Sequence, residues 1–171
     1  MYSHYCTIKN ISEDLYKSFI ENNYIKNYKP AEVRIGLYYN DELIECLGIS
    51  KSKEYEWEIV SNCSKIGYKI IDGFSSLINY FKNNYTGSII TFVDSRYFNT
   101  SEYNENGFKF IEHSKPKCYY FDSLIRKGLD KLFESVKEIE NTFVVYNQNS
   151  DKKDLIYLRI YDAGYDVLVL E

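Results

Sequence analysis

Apolar and polar residues alternate through Val33, Ile35, Leu37 and Tyr39, the period-2 pattern of a strand with one face buried. Asn40-Asp41 follows, and then an apolar run from Leu43 to Ile49. Together they read as an antiparallel hairpin. Upstream, residues 2–8 read as a first strand. Ile11, Leu15 and Phe19, with Tyr16 and Ile20, recur at helical spacing and predict a helix over about 11–22, capped by Asn10 or Ser12. The polar stretch from Asn22 to Pro30 is a loop. Tyr55–Val60 predicts a strand with Glu56 and Glu58 on one face and Trp57 and Ile59 on the other. Phe74, Leu77, Ile78 and Phe81 fall at i, i+3, i+4 and i+7, the apolar stripe of a helix over about 73–84.

The run Ile89, Ile90, Phe92 and Val93 needs a strand (88–94) buried on both faces, and it closes on Asp94-Ser95-Arg96. A short helix near 99–106 carries Tyr103, and Gly107 stands where a helix must end at φ > 0 before a return strand over 107–113. This layout places a site at the carboxyl end of a central strand. Cys118–Phe121 is another short strand. Ile125, Leu129, Leu132, Phe133 and Val136 predict a helix from Ser123 to Glu140, and 155–161 with 167–170 predicts a terminal hairpin around Asp162-Ala163-Gly164. Residues 141–154 are the candidate linker. The expectation is therefore an α+β fold with a mixed, mostly antiparallel central sheet flanked by helices. A core over 1–122 would carry a helix-plus-hairpin extension over 123–171, packed on it as a single structural unit.

Composition narrows the function classes. The chain has 171 residues, 44% hydrophobic and 27% charged, enough to bury a core in one domain. No apolar run approaches the roughly 18 residues of a membrane span, and the first residues lack a signal-peptide layout, so a cytoplasmic protein away from membranes is expected. Cys6, Cys46, Cys63 and Cys118 are scattered and read as reduced, mostly buried thiols. With His4 and His113 they give no metal-ligand spacing, and no metal is expected. The net charge of -4 leaves no global basic footprint, so contact with DNA or a nucleotide would need a local patch. The 19 tyrosines reflect either an AT-rich genome or a surface on which bases stack.

The order strand, helix, hairpin, strand, helix, strand, helix, strand over residues 1–122 resembles the GNAT N-acyltransferase fold. Tyr103-Asn104-Glu105-Asn106-Gly107-Phe108 matches the family's helix ending Tyr-x-x-x-Gly-Phe, whose Tyr is a general acid toward the departing CoA thiolate. The resemblance implies an acyl-CoA as cofactor, with its pyrophosphate on the backbone amides of a helix N-terminus. The aligned segment is Lys69-Ile70-Ile71-Asp72-Gly73-Phe74. Lys69 supplies charge and Gly73 backbone freedom, whereas Asp72 and Phe74 depart from the family's small residues. A carboxylate about 4 Å from a phosphate costs roughly 1 kcal/mol in water and several in a partly buried site.

The chain from about residue 36 is also similar to a bacteriophage-encoded GNAT-like subgroup, the Mom-type DNA-modification proteins and modules of phage homing endonucleases. The residues are Tyr55-Glu56-Trp57-Glu58, Cys63-Ser64-Lys65, Asp94-Ser95-Arg96, Tyr103 with Gly107-Phe108, and Arg159–Gly164. This implies a role in phage–host chemistry in the host cytoplasm, as a transferase acting on a nucleobase or exocyclic amine. The alternative is a degenerate binding module engaging a host or phage protein.

In the enzyme reading, Glu58 or Asp94 takes the proton of the acceptor amine, amides near Ile59 hold the thioester carbonyl, and Tyr103 protonates the leaving group. Ser64, Lys65, Lys69 and Gly73 line the cofactor. Each has a plainer reading. Glu58 is an exposed strand residue, Asp94 a turn residue, Arg96 either a phosphate clamp or the ion-pair partner of Asp94, Tyr103 a packing phenol, and Ser64-Lys65 a solvated turn.

Overall fold

The computed structural model describes residues 1–171 apart from 95, 117, 123–124, 129–135, 140–141, 146–154 and 162. For 118–122, 125–128, 136–139, 142–145 and 155–161 it describes the backbone. A 3-10 turn at Ser3–Tyr5 stands in place of the start of the expected first strand, which is β1 (Thr7–Asn10). Then α1 (Glu13–Asn23) begins at Ser12, whose hydroxyl accepts from the Leu15 N–H. This is one of the two expected caps, and Glu13 and Asp14 complement the helix dipole.

The hairpin forms as β2 (Val33–Tyr39) and β3 (Glu42–Lys51). Asn40 and Asp41 both take positive φ, 47° and 63°, the backbone that matches strand twist in a two-residue turn. β4 (Trp57–Ser64), α2 (Gly73–Asn84), β5 (Ile89–Val93), α3 (Ser101–Glu105) and β6 (Lys109–His113) follow. This is the element order that the GNAT resemblance implied.

Two sheets are present. The first runs β1-β2-β3-β4-β5-β12-β6, with β12 at Asp166–Leu170. Its pairings β1–β2, β2–β3, β3–β4 and β5–β12 are antiparallel, and β4–β5 is parallel. One face buries Ile35, Leu37, Leu47 and Ile49 against Phe74, Leu77, Ile78 and Phe81 of α2. The other buries Leu43, Cys46 and Cys63 against Tyr16, Phe19 and Ile20 of α1. Each fully buried side chain of this size contributes roughly 1.5–3 kcal/mol. Trp57 belongs to the α2 face, edge-on to Phe81 at 5.3 Å, with its indole N–H donated to the Thr86 carbonyl at 2.8 Å. Among the described residues no helix is long and apolar enough to cross a membrane.

The second sheet runs β8-β7-β11-β10-β9, from β7 (Cys118–Asp122), β8 (Ile125–Gly128), β9 (Val136–Ile139), β10 (Thr142–Val145) and β11 (Leu155–Tyr161). The chain divides into two compact units. Met1–Val93, Tyr97–Glu112 and Asp166–Glu171 form one; Asp94–Arg96 and His113–Tyr165 form the other.

Three expectations for the C-terminal part are corrected. Residues 125–128 and 136–139 are strands rather than parts of a helix, because backbone pairing with β7 and β10 overrides the apolar spacing. The middle of that expected helix, 129–135, lies outside the described residues. Thr142–Val145, in the expected linker, is β10. The terminal hairpin does not form. β11 pairs with β7 and β10, whereas β12 pairs with β5, where Val167–Leu170 is buried. The last strand thus belongs to the N-terminal sheet, and the first unit is assembled from both ends of the sequence.

Candidate active site

The chemistry-bearing residues gather where β4 and β5 part. Their parallel register holds only for Trp57–Ile89, Glu58–Ile90 and Ile59–Thr91, although β4 continues to Ser64. The cause is a bulge. Ile49 pairs with Ile59 and Gly48 with Ser61, so Val60 is an extra residue in β4. An extra residue bends its strand and strengthens its twist, here away from β5. Past Val60 the side-chain alternation shifts. Ile59 packs on the α2 face, whereas Ser61 hydrogen-bonds Tyr16 of α1 at 2.6 Å and Cys63 packs against α1. Beyond Ile59 the backbone edge of β4 has no partner on β5, so its amides can receive an extended ligand.

Tyr103 projects from α3 toward this opening. Its ring lies 4.8 Å from Phe74 and edge-on to Phe108 at 5.6 Å. Gly107 ends the helix at φ 89° and lets the chain turn into the return strand. Burial, and then the neighbouring Glu102 carboxyl, push the phenol up to about 12, opposed by the hydroxyl of Thr91, the last β5 residue in the parallel register. The phenol is therefore neutral at physiological pH and able to donate a proton. Tyr24, at the C-cap of α1, is likewise held up, by burial first and then by the Tyr103 phenol.

The remaining sequence-derived candidates fall in several places. Ile59 is buried at the mouth of the opening and Glu58 is half-buried beside it, on the opposite face of β4 from Trp57 and Ile59. Asp94, 2% exposed, and Arg96 meet in a two-pronged pair, Nε to Oδ1 at 2.9 Å and Nη2 to Oδ2 at 2.7 Å. The ion-pair reading of Arg96 is the geometry observed. Lys65 pairs with Glu42, which also accepts from Tyr68 at 2.6 Å. Ser64 is the exposed end of β4, and Lys69 is exposed with its carbonyl accepting from the Met1 nitrogen at 3.0 Å. His113 contacts the Ala163 carbonyl at 2.7 Å through Nε2, as a structural histidine does.

The entry to α2 reconciles the two departures noted in its loop. Asp72 occupies the N-cap in the left-handed region, φ 60° and ψ 20°, with its side chain exposed and uninvolved in capping. Phe74 turns inward and is fully buried, so its ring does not stand over the helix end. Gly73 matters for another reason, its close packing on Glu45. A Cβ there would stand 2.8 Å from the carboxyl carbon of Glu45.

Glu45 is the residue that sequence reasoning passed over. It is 3% exposed on the α2 face of β3, across from Leu37 and Ser64. Burial, and then Glu102, push its carboxyl up to about 8. Its Oε2, and the Oδ1 of Asn62, are buried without a hydrogen-bond partner among the described residues. The available signal was one acid inside the apolar run Leu43–Ile49, since a lone charge in a doubly buried strand is rarely incidental. Among the described residues no group of His, Cys, Asp and Glu could hold a metal ion.

No family model and no curated protein matches the chain by sequence. Among solved structures, the chain is similar to a GNAT family acetyltransferase from Elizabethkingia anophelis with acetyl-CoA bound. The two share 12% identity and a TM-score of 0.49, with 98% of each chain covered.

Proposed function

We propose that this protein is a GNAT-like transferase that moves an acyl-derived group from a CoA thioester onto an amine. The observation that carries the reading is the neutral Tyr103 phenol beside Thr91, at the point where β4 and β5 separate. An acyl-CoA fits the residues present. The free edge of β4 beyond Ile59 would take the acyl arm, and the first turn of α2, entered through Asp72 and Gly73, would take the diphosphate. Lys69 is the exposed cation of that loop. Tyr103 would give its proton to the departing thiolate, and Glu58, beside the opening, would take the proton of the amine. Arg96 and Lys65, held by Asp94 and Glu42, serve local structure in this reading. For the acceptor, the resemblance to phage proteins supports an exocyclic amine of a DNA base, modified in the cytoplasm of an infected host. The exposed rings of Tyr2, Tyr5 and Tyr97 are candidates for stacking on bases.

The test is thiol release from acetyl-CoA with simple amines and with DNA, followed by mass spectrometry of the nucleosides. Transfer to an amine, lost in Tyr103→Phe, supports the enzyme. Acylated nucleosides support DNA as the acceptor, and acylated amines with unmodified nucleosides remove it. A second reading, a binding module for a host or phage protein, is favoured by the direct packing of Phe74 on Tyr103. It predicts capture of a protein partner, indifferent to Tyr103→Phe, with no thiol release.

A further inference from the structure

Beneath the first turn of α2, two side chains stand diagonal to each other on adjacent strands of one sheet face. Glu45 pairs in register with Ser64 and Leu47 with Asn62, so Glu45 and Asn62 are cross-strand diagonal neighbours. Each holds a buried oxygen without a partner among the described residues. Buried polar groups are nearly always satisfied, so an orphan under a helix N-terminus calls for a partner from outside the chain. The Glu45 carboxyl is pressed against Gly73, the first residue of the 12-residue α2, where any Cβ would force the carboxyl to shift. The α2 amides are donors that favour an anion. A protonated carboxyl beside them adds one more donor, whereas an ionised one opposes the same anion.

We propose that Glu45 is a specificity-determining residue for the donor: as a neutral acid it donates a hydrogen bond to the anionic arm held at the α2 N-terminus, and as a carboxylate it excludes that arm. This rests on the proposed reading of that site and deepens it, because a neutral acid here adds a buried donor to the exposed Lys69 of the loop. Lys65 is engaged by Glu42. Of the titratable groups around it, Glu102 from α3 bears on Glu45, and Glu45 in turn helps to raise Cys6 of the N-terminal segment, Cys46 on its own strand and Cys63 from β4. Asp72 precedes Gly73 at the exposed N-cap, and Glu105 acts on Glu102. Burial and the Glu102 carboxyl disfavour ionisation of Glu45, while the Met1 ammonium, bonded to the Lys69 carbonyl, and exposed Lys69 are the cations of the adjoining loop. The carboxyl stays neutral until about pH 8, and an anion bound above that pH must bring a proton with it.

Calorimetric titration of CoA, and separately of inorganic pyrophosphate, into wild type and Glu45→Gln from about pH 6.5 to about pH 9 tests this. Wild-type affinity falls about tenfold per pH unit above the Glu45 midpoint, with net proton uptake near about pH 8.5 in buffers of different ionisation enthalpy. Glu45→Gln matches wild type at low pH and lacks the excess fall. Equal pH profiles for the two proteins, or no binding of either probe to folded protein at low pH, overturn the proposal. Pyrophosphate binding with the expected pH difference but no CoA binding upholds the role of Glu45 and removes CoA as donor. CoA binding with identical profiles keeps the donor and removes the role of Glu45.

Discussion

Tyr16→Phe probes the device that opens β4 away from β5. The Tyr16 hydroxyl lies 2.6 Å from Ser61 Oγ and donates, more weakly, to the Lys29 carbonyl at 3.3 Å. Ser61 directly follows the extra residue Val60, and Gly48 opposite it leaves room for the phenol, whose Cζ would lie 2.7 Å from a Cβ there. Burial holds the phenol far above its ordinary range, so the bond does not depend on working pH. Removing the hydroxyl forfeits a net hydrogen bond of about 1 kcal/mol and strands Ser61, 3% exposed, for a further cost of about 1 kcal/mol or more. Tyr16→Phe should therefore destabilise by about 2 kcal/mol and Ser61→Ala by about 1 kcal/mol. Because the double variant leaves no orphan on either side, its loss should fall short of the sum by about 1 kcal/mol. Urea denaturation followed by the fluorescence of Trp57, the single tryptophan, reads this directly, since Trp57 lies on the same strand. Additivity within about 0.3 kcal/mol would show that the bond does not hold the bulge, and the stated origin of the opening would fail.

Three further outcomes are expected. Tyr103→Phe keeps the ring packing on Phe74 and Phe108, so stability changes by no more than about 1 kcal/mol while turnover drops by about 10²–10⁴. Steady-state kinetics beside a melting curve separates the two effects, and a variant retaining most of its activity removes Tyr103 as the acid. Glu45 titrates from an ordinary 4.5 when unfolded to about 8 when folded. Its contribution is fully present below about 4.5 and is lost as pH rises through that window, at up to about 1.4 kcal/mol per pH unit. Glu45→Gln should thus gain on wild type in urea midpoints between pH 4.5 and pH 8, and parallel profiles would contradict the burial of a neutral acid. Arg96→Ala leaves the buried Asp94 carboxylate without its two-pronged partner and should cost roughly 2–4 kcal/mol by thermal shift. Arg96→Lys should recover only part of it, because an ammonium lacks the planar fork.

Much of the first unit is legible in the residues because local and global preferences agree there. Val33–Tyr39 alternates and Asn40-Asp41 tolerates positive φ, so the hairpin has one register. Ser12 and the α1 and α2 stripes name their own cap and buried faces. The second unit was misread because Ile125, Leu129, Leu132 and Phe133 have helical spacing, whereas what decides Ile125–Gly128 is pairing with Cys118–Asp122. Long-range pairing leaves little trace in local periodicity. The return of Asp166–Leu170 beside β5 is hidden for the same reason. At the candidate site, Tyr103 was visible from its spacing to Gly107-Phe108. The bulge at Val60 was not, because a one-residue excess exists only relative to a partner strand. Glu45 stood in plain view within an apolar run, but its meaning depends on Gly73, 28 residues later in the sequence, folding onto it.

The central claim, that the opening between β4 and β5 and the first turn of α2 together take a CoA thioester, is met most directly by calorimetric titration of acetyl-CoA into the folded protein near neutral pH. Saturable binding at one site per chain is expected, weakened when Gly73→Ala drives a Cβ into the Glu45 carboxyl. No binding heat from a protein whose melting transition is intact would contradict the claim.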